Sequence, residues 1–246
     1  MARTALATGA LLIGLLFTAT AIYAGHGTSP VSQPPIYILR AVGDAARPEA
    51  DTQRDADRHP ALTIAFAGVK PGDQLAELAP GGGYFTRLLS AVVGAKGKVY
   101  PVVQPRRPDA PPDSPDPTAR LKPITSDSHY ANVSVVLSKY SQLELPHGLD
   151  LVWTSQNYHD FHNIADANVA DIDKAIFKAL KPGGVFFVLD HAAEPGSGFR
   201  DTSTLHRIDP AAVKKEVMSA GFKLEAESSL LRNKDDPHTA KVFDPG

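Results

Sequence analysis

The stretch Glu77-Leu78-Ala79-Pro80-Gly81-Gly82-Gly83-Tyr84-Phe85-Thr86 constrains the fold more than any other part of this 246-residue chain. A short apolar run opened by Lys70-Pro71-Gly72-Asp73 leads into it, and a helical pattern leads out. An acid near a strand end, a glycine-rich turn and a helix are the parts from which an open α/β sheet builds a ligand pocket. Glycine lets the backbone approach a ligand closely, and a helix N-terminus offers N–H groups to an anionic portion of it. No Gly-Lys-Ser/Thr follows, so the turn is not a phosphate loop.

The same alternation continues along the chain. Gln74–Leu78 reads as a first strand, and the helix after the glycines carries Phe85, Leu88, Leu89 and Val92 on one stripe, with Gly94 as its stop. Lys98–Val103 is a second strand, Val133–Leu137 a third and Leu149–Trp153 a fourth. Val169, Ile172, Ile176 and Leu180 mark a helix, and the unbroken run Val185–Asp190 is a fifth strand buried on both faces. Asp209 and Pro210 open a last helix, Gly221 closes it, and Phe222–Leu230 is a sixth strand. The pattern predicts a doubly wound, mostly parallel sheet with helices on both faces.

Other segments are less regular. Residues 101–117 hold seven prolines and predict an irregular surface loop with no crossover helix. The charged stretch from Pro48 to Pro60 reads as a solvated helix, and residues 25–46 as a linker before a domain over 47–246. Arg3, the apolar run Ala5–Ala21 and the small residues Ala19, Ala21 and Ala24 predict a signal peptide or membrane anchor over residues 1–24. On that reading the folded part lies in the periplasm or is secreted, and it meets a membrane only through this segment if the segment stays uncleaved. A net charge of −2 supplies no basic face for nucleic acid, and the absence of cysteine excludes disulfides and thiolate chemistry.

The glycine turn, the Asp150-Leu151-Val152-Trp153 strand and Leu180-Lys181-Pro182-Gly183-Gly184 together resemble the class I S-adenosylmethionine (SAM) methyltransferases, a Rossmann-like family, over residues 60–230. Trp153–His162, His191–Arg200 and Thr204–Asp209 are similar to an exported branch of that family whose substrate is unassigned. The resemblance implies SAM as cofactor, a small-molecule substrate, and cofactor contacts at Glu77, Ala79, Pro80, Gly81, Gly82, Gly83, Gln104 and Asn157. It also shows departures. Ala79 stands in place of the motif's first glycine, and Val103 and Gln104 stand where an acid normally holds the ribose. Lys139 is nearest to the adenine-reading acid, and no seventh strand is found after the sixth.

The loop after the fourth strand, Asn157-Tyr158-His159-Asp160-Phe161-His162-Asn163, faces the end of the sheet where ligands bind, as does His191 after the fifth. Tyr158, His159, Asp160 and His191 are therefore the candidate catalytic group, with a histidine as proton acceptor and Asp160 or Asp190 fixing its tautomer. Glu194 and His206 are within reach of the same crevice. A divalent metal is a second reading of His159, His162 and His191 with Asp160 or Glu194. Arg200, Asp201, Arg207 and Asp209 read as ion pairs, and Trp153 as core. Three functions remain open: a SAM-dependent methyltransferase, metal-assisted or acid–base chemistry without SAM on the same fold, and a small-ligand or metal-binding protein.

Overall fold

A computed structural model describes residues 12–19 and 33–242. In chain order its main elements are β1 (Leu12–Ala19), α1 (Ile36–Val42), α2 (Pro60–Ala67), β2 (Gln74–Leu78), α3 (Tyr84–Val93) and β3 (Lys98–Val103). Then follow β4 (Val136–Leu137), β5 (Leu149–Ser155), α4 (Val169–Ala179), β6 (Leu180–His191), α5 (Pro210–Ser219) and β7 (Phe222–Ser228). The strands form one sheet in the order β4-β3-β2-β5-β6-β1-β7. Pairing is parallel from β4 through β6, and β1 runs antiparallel to both of its neighbours.

The apolar runs of the sequence explain the layering. Successive side chains of a strand point to opposite faces, and here each face is covered. Val152, Phe186 and Val188 face a layer that contains Ile172, Ile176, Val213 and Val217 of α4 and α5. Leu151, Trp153, Phe187 and Leu189 face Ile38, Ile64, Leu88 and Leu89 of α1, α2 and α3. Trp153 is fully buried core, as the sequence suggests. The helix starts are also local: Asn168 and Asp209 accept hydrogen bonds from the N–H groups of Ala170 and Ala211.

Three expectations change. The seventh strand is present, and it comes from the N-terminal side: β1 lies between β6 and β7, within the segment read as signal or anchor. Phe17 is fully buried there, its ring 6.3 Å from Phe186 and 6.4 Å from Phe222. Arg3, Ala21 and Ala24, on which the export reading also rests, lie outside the described residues. Among the described residues no helix is long and apolar enough to cross a membrane. Second, residues 36–42 of the expected linker are α1, whose Ile38 and Ala41 are buried; residues 25–32 lie outside the described residues. Third, the charged stretch from Pro48 to Pro60 is two short helical turns tied by ion pairs. Arg47 reaches Asp55 at 2.7 Å, and Arg87 reaches Asp51 at 3.0 Å.

The proline-rich loop carries no long crossover helix, as expected. Short turns at Ala119–Leu121 and Lys122–Thr125 return the chain instead, and β4 is shorter than the strand expected over 133–137.

Candidate functional site

Strand order reverses at β2, which has β3 on one side and β5 on the other, and open α/β sheets bind their ligands in the crevice at the carboxyl ends of the strands at such a point. The glycine turn lies at that end of β2. Gly81 and Gly83 hold φ of 60° and 81°, values that favour glycine. A Cβ on Gly81 would meet nothing within 4 Å, and one on Gly82 only Arg120 Nη2 at 3.9 Å. A Cβ on Gly83 would overlap Ile124 Cδ1. Gly81 and Gly82 therefore face open space, whereas Gly83 is required by packing against the short turn after the proline-rich loop.

Ala79 has φ of 48°, the left-handed conformation that glycine takes without cost. Its neighbours hold it there. The Ala79 N–H donates to the Tyr140 hydroxyl at 2.8 Å, and the Asn157 side-chain amide donates to the Leu78 and Ala79 carbonyls at 3.2 and 3.1 Å. Asn157 is buried and thus ties the tip of β5 to the tip of β2, with Thr154 donating to its Oδ1. Glu77 also lies under the turn: Thr86 donates to its carboxyl, and burial raises its pKa to about 8. Of the expected cofactor group, Gly81 and Gly82 face the opening and Gln104 is exposed at the end of β3. Glu77, Ala79, Gly83 and Asn157 support the turn from below or within, and Pro80 accepts the Gly83 N–H at 3.0 Å.

Beside the turn, Arg58 donates to Gln156 Oε1 at 2.8 Å, and its guanidinium lies 4.6 Å from the Tyr84 ring centre. Burial and the nearby Arg54 lower its pKa to about 10. Gln156, directly after β5, has φ of 61°. Sequence reasoning missed Arg58, Tyr84, Tyr140 and Gln156. Arg58 and Gln156 are 98 positions apart, and no spacing could have linked them.

Across the crevice, Asp190 organises the histidines. One of its oxygens accepts the His159 N–H at 2.7 Å; the other lies 2.8 Å from His159 Nδ1 and accepts the His191 N–H at 2.8 Å. His159 Nε2 lies 3.2 Å from Asp160 Oδ1, and His206 Nδ1 lies 3.6 Å from the same oxygen. Burial alone would lower the His159 pKa, but the Asp190 and Asp160 carboxylates outweigh it and raise it to about 10. A carboxylate on each ring nitrogen favours the doubly protonated ring, which does not support the expected role of His159 as proton acceptor. His191 is buried and has its pKa lowered to about 4 by that burial, so it is neutral. Its ring centre lies 6.3 Å from that of His159.

The structure does not bring Tyr158 or His162 into this group. Tyr158 is fully buried, its hydroxyl 2.9 Å from Asp173 and 3.0 Å from Glu216. His162 Nε2 lies 3.0 Å from Glu216, and the ring stacks on Phe199 at 4.2 Å. Glu194 instead pairs with Arg200, which also holds Asp201. Arg207 forms a buried pair with Asp236. Of the four residues read as ion pairs, Arg200 and Asp201 pair with each other, whereas Arg207 pairs with Asp236 and Asp209 caps α5.

Known proteins share this fold. No protein-family model matches the chain. It is similar to the ubiquinone/menaquinone biosynthesis C-methyltransferase UbiE of Vibrio cholerae, 30% identical over 188 residues, covering 73% of this chain and 65% of that protein. The chain thus spans about two thirds of the length of the curated relatives it matches. Among solved structures, a SAM-dependent methyltransferase from Aquifex aeolicus superposes with a TM-score of 0.53 at 17% identity, covering 72% of this chain and 87% of that one. An arsenic(III) S-adenosylmethionine methyltransferase from Chlamydomonas reinhardtii gives 0.53 at 16% identity, covering 77% of this chain and 62% of that one. The fold is that of the class I methyltransferases. Within this methyltransferase fold, the glycine turn sits at the β2–α3 junction and the histidine cluster at the ends of β5 and β6.

Proposed function

We propose that the protein is a SAM-dependent methyltransferase acting on a small molecule. The observation that carries this reading is the open glycine turn where the strand order reverses, with room above Gly81 and Gly82 for a ligand. The curated relatives are C-methyltransferases of ubiquinone/menaquinone biosynthesis, which supports a small-molecule acceptor here. SAM would supply an electrophilic methyl group on its sulfonium. The turn residues Gly81 and Gly82 fit its approach, and the Arg58 cation beside Tyr84 fits its carboxylate. Gln104 offers the ribose one neutral acceptor in place of a charged one, a weaker contact. His159, held between Asp190 and Asp160, gives the frame a buried positive charge, and the exposed Asp160 is the member of this pair that can reach a substrate. Because methyl transfer needs mainly in-line placement of nucleophile and methyl, positioning by this rigid frame is the main contribution asked of the protein.

Calorimetric titration with SAM tests the reading. Saturable binding that is lost in Gly82→Val supports it. A folded protein that binds nothing at millimolar SAM overturns it. Gly83→Val is unsuitable, because it would report the overlap with Ile124 rather than ligand contact.

Action outside the cytoplasm is part of the proposal and rests on the sequence of residues 1–24. The same segment supplies β1 in the folded chain, and one copy of it cannot be removed and also pair with β6 and β7. N-terminal sequencing of the protein from its native cells separates the two states. A start at Gly25 or Ile22 means export with loss of β1, and a start at residue 1 or 2 means that the strand is kept.

A further inference from the structure

We infer that His159, Asp160 and His206 form a binding site for a divalent transition-metal ion of the zinc type at the acceptor side of the crevice. These three residues each offer one ligand atom, and the atoms lie within 4.8 Å of one another. Asp160 Oδ1 is 3.2 Å from His159 Nε2 and 3.6 Å from His206 Nδ1. Ligand atoms on a tetrahedral zinc at about 2.0 Å stand about 3.3 Å apart, so the two distances bracket what an ion requires.

The surroundings of His159 match the usual support of a metal-bound imidazole. Its Nδ1 is held at 2.8 Å by Asp190, and its backbone N–H donates to the other oxygen of the same carboxylate. A carboxylate on one ring nitrogen fixes the ring and leaves the other nitrogen for the ion. Here that other nitrogen, Nε2, belongs to a side chain with no exposure and points at Asp160. An ion at this point would take the place of the Nε2 proton and keep the bond to Asp190. The site is also open on one side: the Asp160 and His206 side chains are 51% and 30% exposed. Two imidazoles and one carboxylate with a free position are a donor set suited to zinc and to related divalent ions that must also hold a water or substrate oxygen.

This ligand set differs from the one suggested by sequence spacing. His162 is engaged with Glu216 and stacked on Phe199, and Glu194 is engaged with Arg200. His206 replaces them because its backbone turns through φ of 55° and brings its ring within 5.5 Å of the His159 ring. An ion held here would keep a coordination position open for a water or a substrate oxygen.

The test is a titration of the untagged, chelator-treated full chain with zinc chloride in the absence of SAM, so that its outcome is independent of cofactor binding. The site predicts one zinc per chain, with affinity reduced roughly tenfold or more in Asp160→Asn and in His206→Asn. Asparagine tolerates the left-handed backbone at position 206, and unchanged circular dichroism of both variants keeps the comparison valid. His162→Gln, outside the cluster, retains wild-type affinity. Absence of stoichiometric zinc binding by the folded wild type overturns the inference, as does wild-type affinity in both Asp160→Asn and His206→Asn.

Discussion

The two sides of the crevice are built by different means. On the β2 side the shape is made by backbone: Ala79, Gly81 and Gly83 all hold positive φ, and the space above Gly81 and Gly82 is open. On the β5–β6 side it is made by charged side chains, with the buried His159 held between the buried Asp190 and the exposed Asp160. A backbone-made site is damaged by adding atoms, and a charge-made site by removing a charge. Mutations can therefore tell the two sides apart by stability as well as by binding.

The largest effect is expected at Gly83. Gly83→Val forces a branched side chain into left-handed backbone and onto Ile124, at a cost of about 4 kcal/mol, read as a strongly lowered Tm or failure to fold. Gly82→Val should leave Tm within a few degrees of wild type. Equal Tm losses at the two positions would mean that the turn is packed throughout and has no ligand-facing part.

Next comes Asp190→Asn. It removes the buried carboxylate that holds the buried His159 and should cost about 3 kcal/mol in chemical denaturation, because the ionised ring loses its buried partner and keeps only the exposed Asp160. A cost below about 1 kcal/mol, the level of an exposed pair, would show that the cluster is not a locked frame.

Glu77 gives a pH signature for the β2 side. Its carboxyl has a pKa of about 8 in the fold, raised by burial from an ordinary value of 4.5. The folded state therefore binds the proton more tightly than the unfolded one. The resulting stability is fully present below pH 4.5 and is lost as pH rises through 8, by at most about 1.4 kcal/mol per pH unit. Urea denaturation across this window should show a shallower decline in Glu77→Gln than in wild type. Identical slopes would remove Glu77 from the account. The smallest effect is a gain: Ala79→Gly relieves a left-handed alanine and should raise stability by about 1 kcal/mol, read as a modest rise in Tm.

Much of this frame was legible in the sequence because it is local. A strand, three glycines and an i, i+3, i+4 stripe are adjacent in the chain, and β2 and α3 appear where those signals place them. The same holds for the cap at Asp209. What was not legible depends on contacts between distant segments. An apolar run such as Ala5–Ala21 has no periodicity that separates an export signal from a strand buried on both faces, and the described part of it is β1. His206 was only within reach of the crevice by sequence, and its place beside Asp160 follows from a loop whose course no spacing encodes. Tyr158 shows the reverse error. Its neighbours in sequence face the crevice, but one step around a short helical turn sends its side chain into the core beside Asp173.

The central claim is that the open turn at Gly81 and Gly82 receives SAM. Isothermal titration of the folded wild-type protein with SAM, run beside Gly82→Val of matching Tm, tests it most directly. Saturable binding at one site is expected in wild type and none in the variant. No binding by wild type up to millimolar SAM, or equal binding by both proteins, would contradict it.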